Sequence, residues 1–306
     1  MDLFLLIFSK LLPLYIFMAS GYVAGKYLKI DPKQIGALVI YIIMPIVFLG
    51  GLWQAELTVK SLIIVIPIWI ISIIISSGSY LLGKILYKET NVKNLISSGL
   101  PTGNSGYFGI PVALAVLDVK LFAVYLIAAI ANTIYQITVG YYLMALGKYS
   151  YKNSLIKLAK LPVIYGALAG LVLSALNIPM PPFFTVTSDL MKSAFTVLGM
   201  MIIGLTFAVI PNIKFDFKFL SLSLFIRFLI WPLLALVFVW VDYSFMNSLY
   251  QPYYKIIALF SLLPIAADFV IYATQFNIFP QRAALVVLIT TLLSALLIPL
   301  YFTLLL

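Results

Sequence analysis

A chain of 306 residues that is 64% hydrophobic and only 9% charged lies far from an ordinary soluble domain, which is about 25% charged and 45–50% apolar. Apolar stretches of about 20 residues recur from end to end, each long enough to cross a ~30 Å hydrocarbon core, which excludes a soluble enzyme, a disordered tail and a disulfide-stapled secreted domain. The lack of Cys and His removes thiolate and imidazole metal sites, and a net charge of +10 reads in a membrane protein as orientation, not as nucleic-acid binding.

In chain order the hydropathy predicts an all-α polytopic membrane protein with ten transmembrane helices. The first five are Leu3–Ala24, Ile35–Leu52, Leu62–Leu82, Leu95–Leu117 and Leu121–Leu146. The second five are Leu161–Leu176, Leu190–Ile210, Leu220–Val241, Ile256–Phe276 and Ala283–Leu306. The start, Met1-Asp2-Leu3-Phe4, lacks the basic n-region and cleavage site of a signal peptide and reads as the first retained span. The spans are apolar all round, so the alternating pattern of a β-barrel is absent. Loops after the odd-numbered spans carry thirteen Lys or Arg, and loops after the even-numbered spans carry four. The positive-inside rule then puts the odd loops in the cytoplasm and both termini outside.

The longest linker, Gly147–Lys160, has Tyr151, Leu155, Leu158 and Ala159 at helical spacing with lysines between them. It predicts a short amphipathic helix on the inner leaflet, either an anchor or a lipid site. The linker divides the chain into a first five-helix repeat (1–146), the linker itself (147–160) and a second five-helix repeat (161–306). Two halves of five spans insert with opposite orientation, as an inverted repeat requires. Leu12-Pro13 followed by Gly21 matches Leu161-Pro162 followed by Gly170, and Leu100-Pro101 in span 4 matches Leu263-Pro264 in span 9.

Span 4 is the least helix-like stretch, running Gly99-Leu100-Pro101-Thr102-Gly103-Asn104-Ser105-Gly106-Tyr107-Phe108-Gly109-Ile110-Pro111. Pro101, Gly103 and Pro111 predict a broken helix, and Pro264 predicts a milder break in span 9. Such breaks survive in a membrane only against protein or a polar cavity, and paired breaks point to a transporter's central site. Eight of the nine acids fall at termini, loops or span ends, where solvation is expected; Asp268 alone sits deep in an apolar span. A lone carboxylate there costs at least ~2.5–3.5 kcal/mol. It is therefore a candidate coupling site for H⁺ or Na⁺, or else a protonated group bonding a carbonyl that the break exposes. Lys10 can snorkel outward. Arg227 either snorkels too or faces the core as a charge partner for Asp268 or a substrate anion. In span 5, Asn132, Tyr135 and Gln136 share one helix face that either lines a cavity or bonds neighbouring helices.

The segment Asn104-Ser105-Gly106-Tyr107-Phe108-Gly109-Ile110-Pro111 resembles the Asn-x-Gly-aromatic-x-Gly-x-Pro motif of prokaryotic auxin efflux carrier family proteins, relatives of the plant PIN-FORMED carriers and bacterial malate permeases. Pro13-Leu14-Tyr15, Pro32, Gln34, Pro45, Arg227-Phe228, Pro232, Leu263-Pro264 and Pro299 extend the likeness along the chain. The resemblance implies a fold like that of sodium/proton antiporters, with spans 4 and 9 crossing as broken helices. It also implies a dimerising scaffold of spans 1, 2, 6 and 7 and a moving transport domain of spans 3–5 and 8–10. It carries the role of contacting a substrate carboxylate to Asn104. The plant carriers are apolar where this chain has Asp268, which puts their uniport-like mechanism in doubt here.

The function expected is a secondary active transporter of a small organic anion working by elevator-type alternating access, in the plasma membrane of a prokaryotic cell. Asn104, Ser105, Gly106, Tyr107, Asn132, Tyr135 and Gln136 would bind substrate and Asp268 the coupling ion. No catalytic residue, no cofactor and no metal beyond Na⁺ at Asp268 is expected. Partners are the organic anion, the bilayer and a second copy through the scaffold, with no nucleic acid. A uniporter and a non-transporting sensor of the same fold are the alternatives. A protease is excluded, because an aspartyl site needs two buried acids and a zinc site needs His.

Overall fold

The computed structural model describes residues 3–54, 62–106, 108–209 and 216–305, and these form an all-helical protein. Its helices are α1 (Leu3–Leu28), α2 (Pro32–Trp53), α3 (Val65–Leu86), α4 (Val92–Gly99), α5 (Gly109–Val116) and α6 (Lys120–Leu146). After them come α7 (Tyr151–Ala159), α8 (Pro162–Ala175), α9 (Pro182–Ala208), α10 (Phe217–Met246), α11 (Tyr254–Leu262), α12 (Asp268–Phe276) and α13 (Pro280–Leu305). Among the described residues six helices are long and apolar enough to cross a membrane, or seven if α7 and α8, bent by 52°, count as one span. The chain is thus a polytopic membrane protein.

The helix ends follow local chemistry. Asp31, Asp118 and Asp216 each accept a backbone N–H at 2.9 Å at the start of α2, α6 and α10, the usual work of an N-cap. Pro32, Pro162, Pro182 and Pro280 open α2, α8, α9 and α13, where the missing N–H removes no helical bond. Asn277 ends α12 in the left-handed region at φ 55°, and asparagine tolerates that conformation. Pro45 and Pro232 stand just after π-turns at Val39–Ile43 and Ile226–Ile230. A proline has no N–H to give and crowds the preceding turn, and the widened π-turn absorbs the misfit.

Two groups of helices result. In the first, α1 packs along α9, α2 packs along α8, and α2 also touches α9. A Cβ at Gly21 would stand 2.1 Å from Met201 O, and one at Gly204 would stand 1.9 Å from Met18 O, so α1 and α9 approach backbone to backbone. Without a hydrophobic driving force between helices in lipid, such close packing of small residues is what holds them together. Gly204→Val is expected to force the pair apart and destabilise the purified protein by about 1–3 kcal/mol, read as a lower melting temperature in detergent. The second group holds α3 to α6 and α10 to α13, and meets the first where α9 touches α12 and α13 and α1 touches α5 and α13.

At the lysine-rich end Arg282 joins three segments of the second group. Its guanidinium lies 3.0 Å from Glu89 and 2.9 Å from Asp216 and stacks 4.4 Å over the ring of Phe279. The linker forms α7 as its periodicity predicts. Ser150 caps it, Ser154 is buried, and Tyr151 and Leu155 remain exposed.

Candidate functional site at the crossing of two broken helices

The helix that begins at Val92 stops at Gly99 and resumes at Gly109; the one that begins at Tyr254 stops at Leu262 and resumes at Asp268. The two extended segments lie antiparallel and pair as one β-bridge, Gly103 opposite Ile265. Asn104 N–H donates to Pro264 O at 2.7 Å and Ala266 N–H donates to Thr102 O at 3.2 Å. Each break thereby satisfies part of the other's freed backbone, which lipid could not do. Ile265 N–H also reaches Thr290 Oγ1 at 3.2 Å.

The remaining carbonyls are served by two neighbours. From α10, Arg227 Nε donates to Leu263 O at 2.6 Å and Nη2 to Phe260 O at 2.7 Å. One turn on, Trp231 Nε1 donates to Pro101 O at 2.9 Å, and the guanidinium stacks 5.3 Å from its ring. One face of α10 therefore caps the carbonyl ends of both α4 and α11. Arg227 is fully buried, which removes the snorkelling reading, and among the described residues it makes no ion pair with Asp268. Its Nη1 is buried with no hydrogen-bond partner. Gly103 leaves room for this arrangement, because a Cβ on it would stand 2.7 Å from Arg227 Nη2 and displace the guanidinium from its carbonyls.

From α6, Asn132 Nδ2 donates to Gly103 O at 2.9 Å and to Ser105 Oγ at 3.0 Å, and Tyr125 OH donates to Ser105 O at 2.7 Å. Asn132 and Ser105 thus hold the broken segment in shape. Tyr135, predicted to share a face with Asn132 and Gln136, bonds Ser76 Oγ at 2.8 Å and Ser72 O at 3.1 Å on α3. Ser76 Oγ in turn donates to Ser97 O of α4 at 2.8 Å, so the pair bonds α6 to α3 and α4. Gln136 is buried with Nε2 unpartnered.

Asn104 is 3% exposed. Its Oδ1 accepts a long bond from Phe108 N–H at 3.4 Å and its backbone carbonyl accepts from Gly109 N–H at 2.9 Å, so it organises the start of α5. Its Nδ2 has no partner. Gly106 faces open space, with nothing within 4 Å of the position a Cβ would take. Tyr107 lies outside the described residues, as does the side chain of Lys10. Pro111 falls within the first turn of α5, past the break itself. Asp268 is the first residue of α12, 5% exposed, with Oδ1 unpartnered. Phe269 beside it fills the space over Gly99, where a Cβ would stand 2.3 Å from its ring.

One acid departs from the sequence reading. Asp242, expected to be solvated at a span end, is fully buried. It accepts from Ser248 N–H at 3.1 Å, from the Ser248 hydroxyl, from Leu249 N–H at 3.2 Å and from Tyr254 OH at 2.8 Å. With that many donors a buried carboxylate is stable, and Asp242 organises the turn between α10 and α11.

A family of proteins described as membrane transport proteins matches residues 6–302. The chain belongs to the auxin efflux carrier family of membrane transport proteins. The likeness carried by the motif from Asn104 to Pro111 thus holds over almost the whole length. No curated protein sequence matches the chain. As a member of this auxin efflux carrier family it is an integral membrane transport protein and not an enzyme.

Proposed function

We propose that the chain is a secondary active transporter moving a small organic anion, a carboxylate, by elevator-type alternating access, with H⁺ or Na⁺ at Asp268 as the coupling ion. The observation that carries this reading is a buried guanidinium and a buried carboxyl group that do not pair with each other. Arg227 and Asp268 are both held away from water and, among the described residues, form no ion pair. Each uncompensated charge in a membrane interior costs several kcal/mol. An anion beside Arg227 and a cation on Asp268 would remove both costs at once, and a loaded site neutral overall can move through the membrane. Asn104 Nδ2 and Arg227 Nη1, both buried without partners, are the donors for the carboxylate.

Ten spans follow if α4 with α5, and α11 with α12, each make one broken crossing and α1 and α8 are counted. One feature of the packing supports an inverted repeat of residues 1–146 and 161–306 around the linker. Gly21 of α1 meets the backbone of α9, as Gly170 of α8 meets that of α2, its would-be Cβ 2.6 Å from Leu49 O. On this reading α1, α2, α8 and α9 form the scaffold and dimerise, and the other helices move. On the same reading the protein lies in the plasma membrane of a prokaryotic cell, and the lysine excess supports cytoplasmic odd loops with both termini outside.

Counterflow of a labelled carboxylate in proteoliposomes tests the function: a protein that binds but gives no counterflow is a sensor. The ligand itself is found by thermal shift over mono- and dicarboxylates with and without Na⁺. Asn104→Ala is expected to weaken carboxylate binding by about 1–3 kcal/mol, the cost of an unmet buried polar partner; wild-type affinity in that variant would remove Asn104 from the site.

A further inference from the structure

At the lysine-rich end, away from the crossing, a cavity of about 340 Å³ opens where the α1–α2 loop, the end of α9, the end of α12 and the start of α13 meet. Lys29, Lys33, Thr206, Thr274, Asn277 and Gln281 line it. A neighbouring cavity of about 430 Å³ shares Lys29 and adds Lys26.

Three independent observations agree on what the first cavity takes. The first is charge: Lys29 and Lys33 face one acid, Asp31, which is already engaged as the cap of α2 through Lys33 N–H at 2.9 Å. The second is the wall formed by Pro280 and Gln281, the opening turn of the 26-residue α13; Pro280 has no N–H and Ala283 N–H bonds Phe279 O at 3.2 Å, so Gln281 and Arg282 carry the N–H groups of the positive end of the helix dipole. The third is the pair of threonines. Thr133, Thr138, Thr185, Thr187, Thr196, Thr290 and Thr291 all return their hydroxyl to the carbonyl four residues back, the ordinary way a helix satisfies that group. Thr206 and Thr274 do not. They are 2% and 3% exposed, line this cavity from opposite helices, and have no hydrogen-bond partner. Arg282 does not compete for a ligand, since Glu89 and Asp216 hold it.

We propose that this cavity is a second anion site, which takes a phosphate or carboxylate group between Lys29, Lys33, Thr206, Thr274 and the start of α13. Because the α1–α2 loop, α2 and the end of α9 supply one wall and the end of α12 and the start of α13 the other, an anion seated here holds the two groups of helices in their present arrangement. The oxyanion can be free in solution or part of a lipid headgroup; the chemistry is the same.

The test is inorganic phosphate titrated against the melting temperature of the full chain in detergent, with chloride of equal ionic strength as the control. Wild type is expected to be stabilised saturably by phosphate. Lys29→Gln with Lys33→Gln should weaken the apparent phosphate affinity about ten-fold through loss of two charge-assisted bonds, and Thr274→Val should weaken it less. Asn104→Ala should leave the phosphate response unchanged, which separates this site from the crossing and from the transport reading. Nanodiscs distinguish the sources. If phosphatidylglycerol abolishes the phosphate response seen in phosphatidylcholine, the occupant is a headgroup; an equal response in both marks a free anion. No phosphate-specific stabilisation in detergent, or an unchanged response in the double lysine variant, overturns the proposal. The lysines lie in a loop and at the start of a helix, so that variant tests it even if the threonine variant fails to fold.

Discussion

Replacing Arg227 by methionine is expected to destabilise the detergent-purified protein by about 3 kcal/mol, seen as a clear fall in melting temperature. The side chain is buried against the carbonyl end of α11, where it is the donor to both Phe260 O and Leu263 O. Hydrogen bonds from a charged donor are worth about 1.5–3 kcal/mol each, and a cation at the negative end of a helix dipole adds to that. Against them stands the cost of burying a guanidinium, which methionine no longer carries. The carbonyls decide the sign, because in the variant they stay buried at a broken helix end with no water to replace the lost donor. Lysine should recover only part of the loss, since one ammonium on a flexible stem does not reproduce a two-pronged fork. A methionine variant that melts like wild type would mean that the guanidinium caps nothing.

The place of Arg227 was not legible in the sequence for a physical reason. A charged residue about seven positions into an apolar span can snorkel or face inward, and only the neighbours of α10 decide. Those neighbours are the broken ends of α4 and α11, brought there by contacts distant along the chain. The breaks themselves were legible, because proline and glycine act on the local helical ladder whatever surrounds them. Helix positions were legible for the same local reason, since apolar runs bounded by Asp31, Asp118, Pro182 or Pro280 carry their own start signals.

Span 5 shows the limit between these cases. Helical spacing correctly groups Asn132, Tyr135 and Gln136 on a broad face, but that face spans the boundary between two neighbours. Asn132 meets the crossing while Tyr135 meets Ser72 and Ser76 of α3. Asp242 was misread for a related reason: its donors Ser248, Leu249 and Tyr254 lie in a turn whose path depends on how α10 and α11 pack. The cavity between Lys29 and Thr274 is built from four separate segments and leaves no contiguous signal at all.

Asp268→Asn is expected to abolish gradient-driven accumulation while leaving the protein folded. Asparagine keeps the shape of a protonated aspartate and its place at the start of α12, but it neither binds nor releases a proton and is a poor partner for Na⁺. If the carboxylate crosses the membrane only with a cation on it, fixing it neutral removes the link between the ion gradient and the substrate. A ten-fold ion gradient stores about 1.4 kcal/mol per ion, enough for about ten-fold accumulation at one-to-one stoichiometry. Wild type should approach that level in proteoliposomes; the variant should stop at equal concentrations inside and out, yet still exchange labelled for unlabelled substrate. That pairing separates coupling from a purely structural role, in which exchange and accumulation would fall together as the protein loses stability. Unchanged accumulation in the asparagine variant would instead assign the carboxylate to packing at the crossing, and Arg227 would then have to find its counter-charge in the substrate alone.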